Sequence, residues 1–138
     1  MHISPCGWFA LNEPDNWMAE ETPNSTRFFH NHGHGSIEVT SARKMNEVDE
    51  ENIIEVHEKM GQEEVLPLRE TSMVDLTSGP TCLRSTFANE RYIRLFAHVF
   101  WDHYCAFVDM TSPIDEHLND KLNAFHDMID SFQPLTKG

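Results

Sequence analysis

Residues Tyr92 to Trp101 read Tyr-Ile-Arg-Leu-Phe-Ala-His-Val-Phe-Trp, a ten-residue run that is apolar on nearly both sides of an extended chain. Successive side chains of a strand point to opposite faces, so such a run needs apolar cover above and below. That is the condition of a central strand, so the run should lie mid-sheet with layers packed on both faces. Asp102-His103 supplies a tight turn into another strand over 104–110, and strands are expected before it at 72–76 and 81–88, with turns at Ser78-Gly79-Pro80 and Asn89-Glu90. These four strands form an antiparallel meander.

The first third of the chain reads as an earlier meander. Two strands, 7–11 and 17–20, flank the turn chemistry of Asn12-Glu13-Pro14-Asp15-Asn16. A further strand is expected at 26–30. The segment 36–43 alternates strictly, with Ile37, Val39 and Ser41 on one face and Glu38, Thr40 and Ala42 on the other.

Between the meanders the period changes from two to about four. Ile53, Val56, His57 and Met60 share one stripe, Asp49 is placed to cap, and Gly61 stands where a helix would close. The pattern predicts a helix over 49–60. A second helix is predicted from Ser112-Pro113-Ile114-Asp115, which offers a capping Ser and a Pro at the first helical position. Its apolar stripe is Ile114, Leu118, Leu122, Phe125, Ile129 and Phe132, with Asp120, Asn123, Asp127 and Asp130 turned outward, and Pro134 ends it. The fold class is therefore α+β: an antiparallel sheet of two meanders flanked by helices.

At 138 residues, with nine Phe, three Trp and seven Met, the chain has the apolar mass for one domain spanning 1–138. Twenty-three acidic residues against ten Lys and Arg give a formal charge of −13, which repels phosphate backbones and argues against nucleic acid as a partner. Cys6, Cys82 and Cys105 are odd in number and widely spaced, so they read as reduced structural thiols. The N-terminus shows no basic segment followed by a long apolar run, and the apolar stretches are strand-sized, so a cytoplasmic chain without a membrane span is expected.

Three segments carry a resemblance. Trp8-Phe9-Ala10-Leu11 with Pro14 and Trp17, the strand Gly35-Ser36-Ile37-Glu38-Val39-Thr40, and the closing Phe125-His126-Asp127-Met128-Ile129-Asp130-Ser131-Phe132 resemble the opening motif, a strand and the last helix of the PsbP/Mog-type fold. That resemblance covers nearly the whole chain and implies an α/β/α sandwich of the kind found in plant, fungal and bacterial proteins. Members are mostly non-enzymatic binding proteins: some assist photosystem assembly, one class binds a small GTPase, and bacterial ones serve as secretion-associated chaperones. It implies a non-catalytic protein-binding or adaptor role, here in a bacterial, cytoplasmic setting, with another protein as partner.

Two other functions compete. Phe29-His30-Asn31-His32-Gly33-His34-Gly35 places three imidazoles at alternate positions, so His30, His32 and His34 are candidate ligands for a divalent metal. The −13 charge would also suit an immunity-type partner that captures a basic effector. Catalytic signals are weak. His103 and Cys105, near His98 and Asp102, could form a thiol–imidazole pair, though a Cys among aromatics usually packs as core. The acidic pairs Glu20-Glu21, Glu50-Glu51 and Glu63-Glu64 mark no cleft, and no phosphate-binding glycine loop occurs. No enzymatic activity and no obligatory cofactor are expected.

Overall fold

A computed structural model describes residues 1–31, 34–43, 50–62 and 64–135, with residues 43 and 50–53 as backbone. Along the chain the elements are β1 (His2–Ile3), β2 (Phe9–Leu11), β3 (Met18–Glu21), β4 (Ser25–Phe29), β5 (Ser36–Arg43), α1 (Glu50–Gln62), β6 (Leu68–Asp75), β7 (Thr81–Ala88), β8 (Tyr92–Trp101), β9 (Tyr104–Pro113), α2 (Leu118–Asp130) and β10 (Gln133–Pro134). Seven strands form one antiparallel sheet in the order β3-β4-β5-β9-β8-β7-β6. Its halves are the two meanders, joined where β5 pairs β9 with Ile37 opposite Met110 and Val39 opposite Val108. The fold is α+β and dominated by sheet.

The alternation along β8 sorts the layers. Leu95, Ala97, Val99 and Trp101 point into the larger core, with Phe28, Ile37, Val108, Met110 and the α2 residues Phe125, Met128, Ile129 and Phe132. Phe100 points the other way, into a second cluster with Leu83 and Cys105 against which Ile54 of α1 packs, and the ring of Phe96 stacks on His57 of α1 at 5.2 Å. The helices therefore cover opposite faces, and β8 is interior and buried from Leu95 onward.

Three expectations are corrected. Strands β2 and β3 do not pair with each other: β2 belongs to a separate three-stranded sheet, β1-β2-β10, in which Ala10 faces Gln133 and Phe9 faces Pro134. This small sheet closes the α2 side of the core, where Phe9 stacks on Phe132 at 4.8 Å and Leu11 is fully buried. Ser112-Pro113 does not start a helix. Strand β9 runs through Pro113, whose ladder partner is Tyr92, and α2 begins five residues later with His117 at its cap position. A Pro is tolerated at a strand end, where its missing N–H interrupts no longer ladder. Ile114, assigned to the core stripe, is exposed.

The remaining boundary difference has a packing cause. α1 continues to Gln62, so Gly61 is a helical residue and not a cap. A Cβ at Gly61 would lie 3.3 Å from the Phe87 ring, so the missing side chain brings the helix close to β7. Asp49 falls outside the described residues.

Lys121 is 1% exposed. Its ammonium donates to the His34 carbonyl at 2.6 Å, to Ser112 Oγ at 2.8 Å and to the Asp115 carboxylate at 3.1 Å and 3.2 Å. Three donors meet three acceptors, which is what burial of an ammonium requires. The same contacts tie the turn before β5, the end of β9 and the approach to α2 into one corner. In that turn Gly35 has φ +117, and a Cβ there would stand 2.6 Å from the Thr111 carbonyl oxygen, so only glycine lets the turn lie this close to β9.

Candidate functional site

Two regions concentrate polar chemistry. The first is a groove of about 410 Å³ between α1 and the β6–β7 edge, lined by His57, Glu58, Gly61, Gln62, Leu68, Thr71, Ser85 and Phe87. His57 lies on the buried stripe of α1, where the helical period expected it. Its Nε2 shares a 2.6 Å hydrogen bond with Ser85 Oγ, which also bonds Thr71 Oγ1 at 2.9 Å. A serine beside an imidazole is the beginning of a nucleophile–base pair. Here Ser85 is itself buried, and among the described residues no carboxylate orients the imidazole at Nδ1. The trio fastens helix to sheet.

Burial lowers the His57 pKa from 6.5 to about 4, so the ring is neutral at physiological pH. The unfolded chain then binds this proton first. Stability is complete above about pH 6.5 and is lost as pH falls toward 4, and the shift corresponds to about 2 kcal/mol between pH 7 and pH 5. Urea titrations at those two pH values should show this decrement, and His57→Phe should remove most of it. An unchanged slope in the variant would mean that other groups carry the pH dependence.

On β8, the Arg94 guanidinium takes both oxygens of Asp109 at 2.9 Å and 2.8 Å and reaches Glu64 Oε2 at 2.7 Å. Glu64 lies two residues after the end of α1, so this network ties the exit of the helix to β8 and β9. Among the described residues β6 pairs only with β7, and all but one of its eight residues are exposed. A register shift between Leu68 and Glu70 bulges its first end, after which the ladder runs regularly to Asp75. Leu68, Met73 and Val74 are exposed apolar side chains on this free edge. The opposite edge, β3, has four residues, two of them Glu.

The second region is a corner between the end of β4 and the start of α2. Of the histidines singled out in the sequence, His30 joins a ligand-capable group among the described residues. His32 lies outside the described residues, and His34 has an exposed side chain and offers its carbonyl to Lys121. The residues that accompany His30 are His117 and Asp120, 87 and 90 positions later, with ligand atoms of all three within 4.8 Å of one another. His30 Nε2 stands 3.7 Å from Asp120 Oδ2, the two imidazole rings are 5.1 Å apart, and the Trp17 indole meets His30 edge-on at 5.1 Å. A cleft of about 260 Å³, lined by Asp15, Asn16, Trp17, His30, Asn31 and Asp120, opens beside them.

The thiol candidates resolve as core. Cys105 packs with Leu83 and Phe100, His103 and Asp102 sit in the β8–β9 turn, and burial pushes the Cys82 thiol up to about 11. All three cysteines are free thiols, Cys6 exposed and the others buried. Glu20 and Glu21 are exposed on β3, and Glu63 lies outside the described residues. Among the described residues no helix is long and apolar enough to cross a membrane.

No family model matches this chain, and no curated protein matches it. Among solved structures it is similar to a Bacteroides thetaiotaomicron VPI-5482 protein determined at 1.50 Å resolution, with a TM-score of 0.69 at 18% identity over 99% of this chain. That likeness shows the fold alone. The chain spans 48% of that protein, about half its length.

Proposed function

We propose that this domain is a non-catalytic protein-binding module that receives an extended segment of its partner along β6. The observation that carries the reading is the eight-residue edge of a seven-stranded sheet, unpaired on its outer side among the described residues and bearing exposed Leu68, Met73 and Val74 beside an apolar-walled groove. An edge strand presents unpaired backbone donors and acceptors; β3 blunts its edge with short length and two Glu, whereas on β6 the bulge and the charges sit at the ends and leave Thr71 to Val74 uncharged. Strand addition supplies main-chain hydrogen bonds, while neighbouring pockets select alternate side chains. At β6 the groove offers Phe87 and Leu68 as an apolar seat.

Charge specifies the partner further. Glu58 borders the groove and Glu70 and Asp75 flank the regular part of β6, within a chain of net charge −13. The segment that fits is extended, apolar at alternate positions and basic on its flanks, and its capture slows as salt screens the field. The resemblance to PsbP/Mog-type proteins, mostly binding proteins, supports the same class of role.

The test is selection of peptides from a random library, followed by affinity measurement against wild type and a Met73→Lys/Val74→Lys variant. The selected peptides should be basic and apolar, and the variant should bind them about tenfold more weakly, about 1.4 kcal/mol. Equal affinity for the variant would remove β6 as the docking edge.

A further inference from the structure

We infer that His30, His117 and Asp120 form a site for one divalent transition metal of the zinc class, independent of the β6 edge. Two imidazoles and a carboxylate suit a borderline-soft cation and not calcium or magnesium, which prefer all-oxygen shells. The spacing fits. Donors about 2.1 Å from a tetrahedral zinc lie about 3.4 Å from one another. His30 Nε2 and Asp120 Oδ2 already stand at 3.7 Å, and all three ligand atoms fall within 4.8 Å.

The ligands are also presented by a braced frame. His117 occupies the cap position of α2 without using its imidazole as a cap, and Asp120 sits in the first helical turn, where the helix dipole favours a negative charge. The Asp115 carboxylate accepts the His117 backbone N–H at 3.0 Å, and the Lys121 backbone N–H donates to the His117 carbonyl at 3.3 Å. The buried Lys121 ammonium anchors Asp115 in turn. On the far side, His30 follows β4 directly, is 7% exposed at its side chain and is walled by Trp17. Exposed Glu116, 3.5 Å from His117 Nε2, adds negative charge at the rim. The adjoining cleft, with Asp15, Asn16 and Asn31, leaves a side open for a water or a ligand atom from solution to complete the shell.

The experiment is calorimetric titration of the untagged full chain with zinc chloride, with cobalt(II) absorption as a second readout of imidazole–carboxylate coordination. One zinc per chain is expected, weakened at least about tenfold by His117→Ala and by Asp120→Asn, and retained by His34→Ala. Asp120 is 69% exposed at its side chain, so Asp120→Asn tests the ligand set even where His117→Ala unsettles the helix start. Absence of zinc uptake by the wild type, uptake unchanged in Asp120→Asn, or loss of uptake in His34→Ala would each overturn the assignment.

Discussion

Phe125→Ala is expected to cost about 4 kcal/mol. Phe125 is fully buried in the middle of α2, the only helix on its face of the sheet among the described residues, and shares the main core with Phe9, Phe28, Ile37, Val99 and Met110. Core phenylalanines truncated to alanine lose the transfer energy of the ring and leave a cavity whose walls lose dispersion contacts. The cavity here would lie in a core shared by residues of both sheets and of α2. Urea unfolding should register the loss. Ile114→Ala is the control: Ile114 precedes α2 and is exposed, so it should change stability by less than about 0.5 kcal/mol. Had the helix begun at Ser112, the two substitutions would have been comparable.

Lys121→Met is expected to cost about 3 kcal/mol, and its origin is different. The methionine keeps the stem's packing and deletes the charge. What remains is the His34 carbonyl without its 2.6 Å donor, Ser112 Oγ without its 2.8 Å donor, and an Asp115 carboxylate without its cation. Breaking a buried pair from one side costs roughly 3–5 kcal/mol, and the lower end applies because Asp115 keeps 27% of its side-chain surface in water. Burial alone would lift the Asp115 pKa, but the hydrogen bonds from Lys121 and the His117 N–H, with the Lys121 charge, hold it below the usual carboxylate range. Its contribution is therefore present above the unfolded carboxylate pKa and disappears as pH falls through the lower folded value. The variant should lose about 10 °C in Tm at neutral pH and should show a smaller stability loss on acidification than wild type. A loss under about 1 kcal/mol would mean that the corner does not depend on the ammonium.

How much of this was legible in the sequence follows from the range of each interaction. Strands β5, β7 and β8 match their expected spans because each has a buried face or two, which writes a period into the chain. β6 was expected only from Ser72, since Leu68-Arg69-Glu70-Thr71 lies exposed on an edge and has no buried face to impose alternation. The two-residue strands β1 and β10 are too short for any period, so their pairing around β2 is invisible before folding. Ser112-Pro113 carries every local sign of a helix start, yet ten ladder pairs from Tyr104 to Pro113 commit the segment to the strand, and the Ser hydroxyl serves Lys121 instead. Lys121 itself gave no signal, because a polar residue in a helix reads as solvated unless its acceptors are known.

The same limit governs the candidate sites. The His30, His32 and His34 cluster stands out in the sequence because its members are neighbours there, whereas the group that geometry assembles among the described residues joins His30 to His117 and Asp120 from the far end of the chain. His57 was placed on its buried stripe by periodicity, but its pairing with Ser85 and the groove beside it required the register of β6 on β7.

The most direct measurement is amide hydrogen exchange of the full chain with and without a selected basic, apolar peptide. If a partner strand adds at the edge, the backbone amides of β6 between Glu70 and Asp75 should gain protection while those of β3 stay unchanged. Protection confined to β3 or to α1, with β6 exchanging as freely as before, would contradict the proposal that this domain binds its partner along β6.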